Sequence, residues 1–358
     1  MYFDINPKTE RKSLFGGDYA LNNLQEYLSD NSTRLIIIKG LRRVGKTSLL
    51  NVALNELKTA SVKIDVRESA YFERKEFFIF LLEKIKQKIE PSFWEKVTSN
   101  ISGAGVSYKD LALNIFFSKE EKVHLFFQNF NQQLKNKNKI FVIAFDEIQL
   151  LKAVKFDYFV ASAFDNYGQI KFVLTGSEVG MLDRFMGKRD YDSPLYGRAY
   201  LEIELNRFKE EETKRFLEEG FRQIGKKISF DEIKEVVSQL DGIIGWTTYY
   251  GWLRHKKISH EKSLERVKEE GKILVRRELD LFLNSRKAKS KYIRLLKFLA
   301  QGENEWDLIK YSFLKEKIKV ADSQLSLYLK ELSYYGFIEK QQERYLISDP
   351  IMLKAIKE

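Results

Sequence analysis

The sequence of 358 residues contains no cysteine and only three histidines. The lack of cysteine excludes disulfides, thiolate metal sites and a cysteine nucleophile. The three histidines (His124, His255 and His260) are scattered along the chain, which argues against a histidine-based metal site. Functions that depend on such sites are therefore not expected.

Long apolar runs are also missing, and no stretch of about 18 apolar residues is present to form a transmembrane helix. Residues 1–7 lack the basic segment followed by an apolar segment that directs secretion. These absences predict a cytoplasmic protein that has no membrane partner.

The charge balance is basic, with 62 Lys and Arg against 51 Asp and Glu, a net charge of +11. Such a balance suits an acidic partner such as nucleic acid, although a solvated lysine-rich surface explains it equally well. At 358 residues the chain exceeds what one hydrophobic core usually spans, so two or three domains are expected.

A phosphate-binding loop is predicted at residues 40–47, which fit the pattern G-x-x-x-x-G-K-[ST]. An apolar strand precedes the loop at 35–38 and a helix follows at 48–54, which is the context this motif requires. Glycines let backbone N–H groups approach a polyphosphate, and the helix N-terminus adds a positive dipole end. Lys46 is expected to reach the β- and γ-phosphates, and the Thr47 hydroxyl is expected to bind Mg²⁺. The predicted nucleotide-binding residues are Gly40, Leu41, Arg42, Arg43, Val44, Gly45, Lys46, Thr47 and Ser48.

Two adjacent carboxylates, Asp146 and Glu147, end an apolar strand about 100 residues further along the chain. In phosphate-loop ATPases such an Asp holds Mg²⁺, directly or through water. The following Glu is placed to polarise the attacking water. Together with the loop, this pair predicts a nucleotide-binding protein and favours hydrolysis.

Three further side chains are candidates for the catalytic site. Thr175 and Ser177 end a third strand, where a hydroxyl is expected to touch the γ-phosphate, although an ordinary turn is the alternative. Arg198 is expected to stabilise transition-state charge, in cis or from a neighbouring subunit, and a surface salt bridge is its alternative.

The order of elements predicts an α/β fold with a mostly parallel, doubly wound sheet. Two more strands are predicted at 62–66 and 201–205, and helical patterns lie between the strands. Ligands of such sheets bind at the carboxyl ends of the strands, where the three motifs fall. A G-x-G sequence within 101–106 is interpreted as a turn or small hairpin rather than a second phosphate site.

From residue 207 onward the apolar period becomes helical. A small helical lid over the nucleotide is predicted from helices at 209–225, 230–240, 247–257 and 261–283, and Arg254 within it is expected to be solvated. The C-terminal part resembles a winged helix, with helices at 292–300, 306–313 and 323–335 and strands at 336–340 and 344–347.

The third of these helices is the candidate recognition helix. Its polar face is predicted to hydrogen-bond base edges or phosphates through Ser323, Gln324, Ser326, Tyr328 and Lys330. Asp322 and Glu331 oppose DNA binding. Packing of the winged helix on the protein's own ATPase domain, or on a partner, is therefore the alternative.

With these motifs placed, the chain resembles the archaeal ATPase family, a branch of the AAA+-related, STAND-type phosphate-loop ATPases. The resemblance covers nearly the whole chain. It rests on GLRRVGKTSL at 40–49, FVIAFDEIQ at 141–149, LTGS at 174–177, SPLYGR at 193–198, GIIGWTTYYG at 242–251 and YLISDPIM at 345–352.

The resemblance implies an AAA+-like core at 1–205, a helical lid at 206–284 and a winged-helix domain at 285–358, with ATP and Mg²⁺ as ligands. It assigns phosphate and metal binding to Lys46 and Thr47, the metal carboxylate to Asp146 and the water-polarising base to Glu147. Ser177 would be a sensor and Arg198 an arginine finger. The chain has Ile244 where such proteins usually have Pro, and Gly16-Gly17 after Phe15 where they usually have Arg-Glu.

Our hypothesis from the sequence is an ATPase that hydrolyses ATP slowly and whose nucleotide state repositions a winged helix to bind DNA. The alternative is a nucleotide-gated switch that binds a protein partner or itself, without nucleic acid. A small-molecule kinase is disfavoured because Asp146 and Glu147 place water rather than an acceptor. A processive motor is disfavoured because no motif demands a ring or a translocating strand contact.

Overall fold

The computed structural model describes residues 1–99, 101, 120–188, 192–284 and 286–358. The turn predicted within 101–106 lies outside the described residues, apart from its first position. None of the described helices is long and apolar enough to cross a membrane.

A five-stranded parallel sheet forms the centre of the N-terminal half. Its strands are β1 (Leu35–Gly40), β2 (Ser61–Asp65), β3 (Phe141–Asp146), β4 (Ile170–Gly176) and β5 (Leu201–Leu205). They lie in the order β2-β3-β4-β1-β5, and every pair is parallel. The carboxyl ends of all five strands therefore meet at one edge. The parallel α/β phosphate-loop fold predicted from the sequence is confirmed.

Helices cover both faces of this sheet. They are α1 (Asp18–Ser29), α2 (Lys46–Glu56), α3 (Arg74–Lys86), α4 (Pro91–Thr98), α5 (Glu120–Asn136), α6 (Phe156–Asn166) and α7 (Val179–Phe185). Every residue of β3 and β4 is buried, as expected of central parallel strands that are covered on both sides. One face packs on α1 and α2, and the other packs on a larger, Phe-rich core.

The segment predicted as a lid, called the lid below, contains four helices. They are α8 (Glu210–Gln223), α9 (Phe230–Leu240), α10 (Ile244–His255) and α11 (His260–Asn284). Helix α9 begins with a capping box, in which the Ser229 hydroxyl accepts from the Glu232 N–H (3.2 Å) and the Glu232 carboxylate accepts from the Ser229 N–H (2.9 Å). Helix α10 begins at Ile244, with Ile243 as its N-cap.

The C-terminal part follows the predicted order of helices and strands. Its elements are α12 (Lys289–Ala300), α13 (Trp306–Lys315), α14 (Asp322–Tyr334), β6 (Ile338–Gln341), β7 (Arg344–Ile347) and α15 (Pro350–Lys357). Helix α15 was not predicted, although Pro350 at its first position and Asp349 as its N-cap are typical start signals.

One side chain of the candidate recognition face lies elsewhere. Tyr328 points into the core, with its ring centroid 4.6 Å from that of Tyr292, so its assignment to the polar face is wrong. The other four members of that face, Ser323, Gln324, Ser326 and Lys330, are exposed. The helical period places 328 with Leu325 and Leu332, which are also buried.

The lid and the C-terminal part share one hydrophobic core. Phe282 of the lid contacts the rings of Tyr292, Tyr335 and Phe337 edge-on, at centroid distances of 4.8 to 5.3 Å. The same cluster includes Phe3 from the start of the chain. The boundary at 284/285 therefore does not separate two hydrophobic cores, and the three-domain division stays a prediction.

Candidate functional site

The phosphate-binding loop connects β1 to α2 at the carboxyl edge of the sheet. Gly40 has φ 153°, and a Cβ there would lie 2.2 Å from the Leu205 carbonyl oxygen of the neighbouring strand. Gly45 has φ 99° and immediately precedes the first turn of α2. Only glycine fits both positions, so the loop leaves its backbone free to approach a ligand.

Lys46 is the first residue of α2 and is almost completely buried. Its Nζ donates hydrogen bonds to the carbonyl oxygens of Gly40 (2.9 Å) and Leu41 (2.6 Å). Burial lowers the pKa of Lys46 to about 8, and the nearby carboxylates of Glu147 and Asp146 oppose this shift. The buried ammonium is thus held by loop carbonyls, in a place where an anionic ligand would stabilise its charge.

Asp146, at the end of β3, is fully buried and links two hydroxyl groups. One carboxylate oxygen accepts from Thr47 Oγ1 (2.8 Å) and the other accepts from Thr175 Oγ1 (2.5 Å). The two residues predicted to bind Mg²⁺ are therefore in contact. Thr175, one of the two sensor candidates, is occupied with Asp146.

Glu147 follows Asp146 with a left-handed backbone, at φ 62°. Its Oε2 accepts from the Ser177 N–H (3.1 Å), from Ser177 Oγ (2.8 Å) and from Gln149 Nε2 (2.6 Å). Burial alone would raise the pKa of Glu147, but the charge of Lys46 and these hydrogen bonds outweigh it, and the pKa is lowered. The carboxylate is therefore ionised and oriented.

A cavity of about 1040 Å³ opens at this edge of the sheet, which is large enough for a nucleotide. The predicted site residues that line it are Arg42, Arg43, Val44, Gly45, Lys46, Thr47, Ser48, Glu147 and Ser177. Asp146 contacts the cavity-lining residue Thr47 through a hydrogen bond.

Arg198 does not line this cavity. Its guanidinium pairs with the Asp165 carboxylate at 2.5 Å and also donates to the Pro194 carbonyl. This placement matches the surface salt bridge that was the alternative for this residue. Arg254, expected to be solvated, is ion-paired with Glu232 at 2.8 Å, also away from the cavity.

The start of the chain forms a wall of the cavity that sequence reasoning missed. Residues 4–8 line it beside the lid residues Phe208 and Tyr249. The segment is attached at both ends. Phe3 is buried against the lid, and the Lys8 N–H donates to Ser48 Oγ in the first turn of α2 (3.0 Å). No motif or periodicity in residues 1–8 indicated this position.

The two arginines of the loop connect it to the second half of the chain. Arg42 donates to the Tyr335 carbonyl (3.0 Å) and to Glu178 (2.7 Å). Arg43 donates to Glu278 of α11 (2.6 Å) and covers the ring of Trp246, 4.3 Å from its centroid. The phosphate loop is thus in direct contact with the lid and with the C-terminal part.

The parallel sheet, the glycine-bounded loop with its buried lysine, and the adjoining carboxylates define the class of phosphate-loop nucleotide hydrolases. Within this class, the model of an ATPase domain family found predominantly in Archaea matches residues 17–246. The chain belongs to that ATPase family.

Solved structures share the fold of this chain. A Walker-type ATPase of Pyrococcus abyssi is 29% identical with a TM-score of 0.81, and the match covers 100% of each chain. Two structures of the Aeropyrum pernix ORC2 protein share the fold. The ADPNP-ADP complexes are 13% identical with a TM-score of 0.60, over 99% of this chain and 96% of that one. The ADP form is 12% identical with a TM-score of 0.56, over 99% and 98%.

A search of curated proteins gives no match. The family and the Pyrococcus structure agree with the site geometry, and the protein is an ATP-hydrolysing enzyme.

Proposed function

We propose that ATP binds with its phosphates on residues 40–48 and its base between the N-terminal wall and the lid. The observation that supports this placement is the cavity itself. Its lining includes Lys46 and Thr47 of the loop, Asn6 of the N-terminal wall, and Phe208 and Tyr249 of the lid. The backbone of the loop and the start of α2 provide donors for the phosphates.

Mg²⁺ fits the residues present. The Thr47 hydroxyl and the Asp146 carboxylate supply the oxygen ligands that this ion prefers, and they lie 2.8 Å apart. Among the described residues there is no cluster of three or more His, Cys, Asp or Glu side chains that would hold a metal alone. This agrees with an ion held jointly by one or two side chains, water and substrate phosphates. When bound, Mg²⁺ would neutralise negative charge on the phosphates.

Hydrolysis is assigned to Glu147. Its carboxylate accepts a proton from the attacking water while the Lys46 ammonium stabilises charge on the phosphates. Loss of Lys46, Thr47, Asp146 or Glu147 would each remove a different part of this machinery. Roles for Ser177 at the γ-phosphate and for Arg198 as an arginine finger remain part of the proposal. Arg198 would have to act on a neighbouring subunit or after a rearrangement.

The nucleotide state would then control the C-terminal winged helix. Arg42 belongs to the loop and also donates to the Tyr335 carbonyl, at the end of α14. Beside this contact, the backbone and ring of Tyr334 lie against Gly180 of α7 so closely that a Cβ on Gly180 would be 2.1 Å from the Tyr334 ring. A phosphate group that draws Arg42 away would weaken this docking. ATP would thereby favour one arrangement over the other, as any population shift requires.

Duplex DNA is the proposed partner of the winged helix. The exposed residues Ser323, Gln324, Ser326 and Lys330 lie on one side of α14. Three exposed lysines precede it, Lys315 at the end of α13 and Lys317 and Lys319 in the connection that follows. Lysines here would contact phosphates, while the polar side chains would contact base edges. The net charge of +11 favours the same partner.

Phosphate release measured for the wild type and for Glu147→Gln, with and without duplex DNA, tests this proposal. DNA-stimulated turnover that is lost in the variant would support a DNA-coupled ATPase. DNA affinity should fall with rising salt. The slope of this salt dependence should be smaller when Lys315, Lys317 and Lys319 are replaced by Ala. The control is Lys58→Ala, because Lys58 is exposed on the N-terminal half of the chain, away from the C-terminal part. A variant affinity equal to that of the control would contradict the DNA assignment.

The second candidate is a nucleotide-gated switch, of the STAND type, that binds a protein or a second copy of the chain in the cytoplasm. The end of α14 packs against α7 of the core. This packing favours the second candidate, because the nucleotide state could control whether the winged helix stays held there. Tight ATP binding with slow turnover, and no DNA affinity at low salt, would support this candidate and overturn the first.

A further inference from the structure

Gln149 lies in a short 3₁₀ helix, Ile148–Val154, directly after the Asp146-Glu147 pair. Its side chain is buried, and its amide nitrogen donates to Glu147 Oε2 at 2.6 Å. The opposite amide orientation would place a carbonyl oxygen against the carboxylate, which electrostatic repulsion excludes. The amide of Gln149 is therefore a donor to the proposed catalytic base.

The other end of the Gln149 amide is unusual. Its Oε1 is buried and has no hydrogen-bond partner among the described residues. An unpaired buried acceptor costs about 1–3 kcal/mol, which an apolar side chain of the same length would avoid. Gln149 would therefore lower the stability of the fold if its role were packing alone. This loss of stability points to a role of its amide nitrogen at Glu147.

The three donors of Glu147 all reach the same oxygen. Gln149 Nε2, Ser177 N and Ser177 Oγ contact Oε2 at 2.6, 3.1 and 2.8 Å, and no described residue donates to Oε1. The terminal torsion of a Glu side chain is broad, so a carboxylate without such contacts samples many orientations. Here the contacts fix it, and Oε1 remains the oxygen that is available to a water molecule.

We propose that Gln149 is a positioning residue of ATP hydrolysis, which acts by holding Glu147 so that Oε1 receives the proton of the attacking water. This inference rests on the proposed role of Glu147. In the step itself, the water oxygen bonds to the γ-phosphorus and the bond from that phosphorus to the β,γ-bridging oxygen breaks. The water proton passes to Glu147 Oε1, and ADP and phosphate leave. Gln149 neither gains nor loses a proton.

Gln149→Met tests the proposal, because Met keeps the length of the side chain and removes its amide. The kcat for ATP is expected to fall on the order of tenfold, less than the ~10²–10⁴-fold effect of losing a general base. KM and the affinity for ATP should stay at wild-type values, since the amide orients Glu147 and takes no part in substrate binding. The unfolding temperature should not fall, because the unpaired Oε1 is removed. Gln132→Met, an exposed glutamine on α5, is the matched control.

The double variant Gln149→Met with Glu147→Gln shows whether Gln149 acts through Glu147. It should turn over ATP at the rate of Glu147→Gln alone, since the positioned group is already absent. An unchanged or increased kcat in the single variant would overturn the proposal. So would an equal fold loss in both backgrounds.

A second measurement separates this inference from the proposed function. In protein with ¹³C-labelled Glu carboxyl groups, without nucleotide and at one fixed pH, the resonance missing in Glu147→Gln belongs to Glu147. That resonance should shift or broaden in Gln149→Met and stay in place in Gln132→Met. An unmoved resonance overturns the role of Gln149. Wild-type turnover by Glu147→Gln, with the resonance shifted as expected in Gln149→Met, would instead refute the catalytic role of Glu147.

Discussion

At the residue scale, the site combines charges that are costly to bury with contacts that compensate for them. The ammonium group of Lys46 is buried at the phosphate loop, where two carbonyl oxygens and two carboxylates stabilise its charge. Asp146 is fully buried and accepts two hydroxyl hydrogen bonds. Such sites are commonly less stable than an apolar replacement would be.

Lys46→Met is expected to separate binding from stability. The variant loses a desolvated charge and two hydrogen bonds together, so the free energy of unfolding without nucleotide should change by only about 1 kcal/mol. ATP at 100 times its wild-type Kd, which stabilises the wild type by about 2.7 kcal/mol, should not stabilise the variant. Thermal unfolding with and without ATP checks this. A stabilisation by ATP equal to that of the exposed control Lys58→Met would refute the assigned role of Lys46.

Arg198→Ala is expected to leave the Kd for ATP unchanged, because the Arg198 side chain pairs with Asp165 outside the cavity. Its loss should cost at most about 1 kcal/mol of stability, as for other half-exposed ion pairs. Turnover should be measured over a range of protein concentrations. A loss of activity that appears only at high concentration would indicate a finger supplied to a neighbouring subunit. A loss of ATP affinity would contradict the placement described here.

At the scale of elements, the start of the chain fastens the lid to the core. The ring of Phe3 fills a space between α8 and α10, where a Cβ on Gly220 or Gly251 would lie 2.3 or 2.2 Å from it. Phe216 and Phe221 surround the ring edge-on. A few residues further on, the same segment bonds to the helix that follows the phosphate loop. This segment thus connects the lid to the helix beside the phosphate loop.

Phe3→Ala is expected to lower the free energy of unfolding by about 3–5 kcal/mol, as for other buried Phe side chains. It should also raise the Kd for ATP, since the wall formed by residues 4–8 loses its anchor. Urea unfolding and nucleotide titration measure the two effects. The control is Phe230→Ala, because the Phe230 side chain is 70% exposed and should contribute little. Equal effects of the two substitutions would refute the anchoring role.

At the scale of the whole molecule, the phosphate loop is the place where the two halves of the chain meet. Arg42 reaches Tyr335 across 293 positions of sequence, and Arg43 reaches Glu278 across 235. Under the proposed function, a change of ligand at the loop would act directly on both the lid and the C-terminal part. No intermediate relay of side chains is required.

Gly180→Ala is expected to displace the C-terminal part from the core, because the added Cβ meets the ring and backbone of Tyr334. The absence of native cysteines allows two labels to be placed cleanly, at Lys58→Cys and Gln342→Cys, both exposed. The distance between labels should lengthen in Gly180→Ala without nucleotide, and in the wild type when a non-hydrolysable ATP analogue is added.

Gly168→Ala is the control, since its Cβ would meet only the flexible end of Arg34. Unchanged distances in both the Gly180→Ala variant and the nucleotide-bound wild type would contradict a mobile C-terminal part.

Much of this architecture was accessible from the sequence. Five strands, the loop at 40–47 and the Asp146-Glu147 pair were predicted correctly, because each depends on residues close together in sequence: apolar runs, glycine spacing and the residue that ends a strand. Helices α1 and α15 were missed, although Leu21, Leu24 and Leu28 in α1 recur at helical spacing. Tyr328 was assigned to the wrong face of α14, although the helical period places it with the buried Leu325 and Leu332.

What the sequence by itself determined, therefore, is which residue types stand at the strand ends and the class of fold that carries them. Only the tertiary structure decided which groups touch those residues. Glu147 accepts a hydrogen bond from Ser177, 30 residues away in sequence. Arg198 pairs with Asp165 and does not line the cavity. Phe3, at the start of the chain, packs between two helices of the lid. Local patterns specify strands, loops and helix starts. Contacts between distant residues depend on how those elements pack, which no local pattern records.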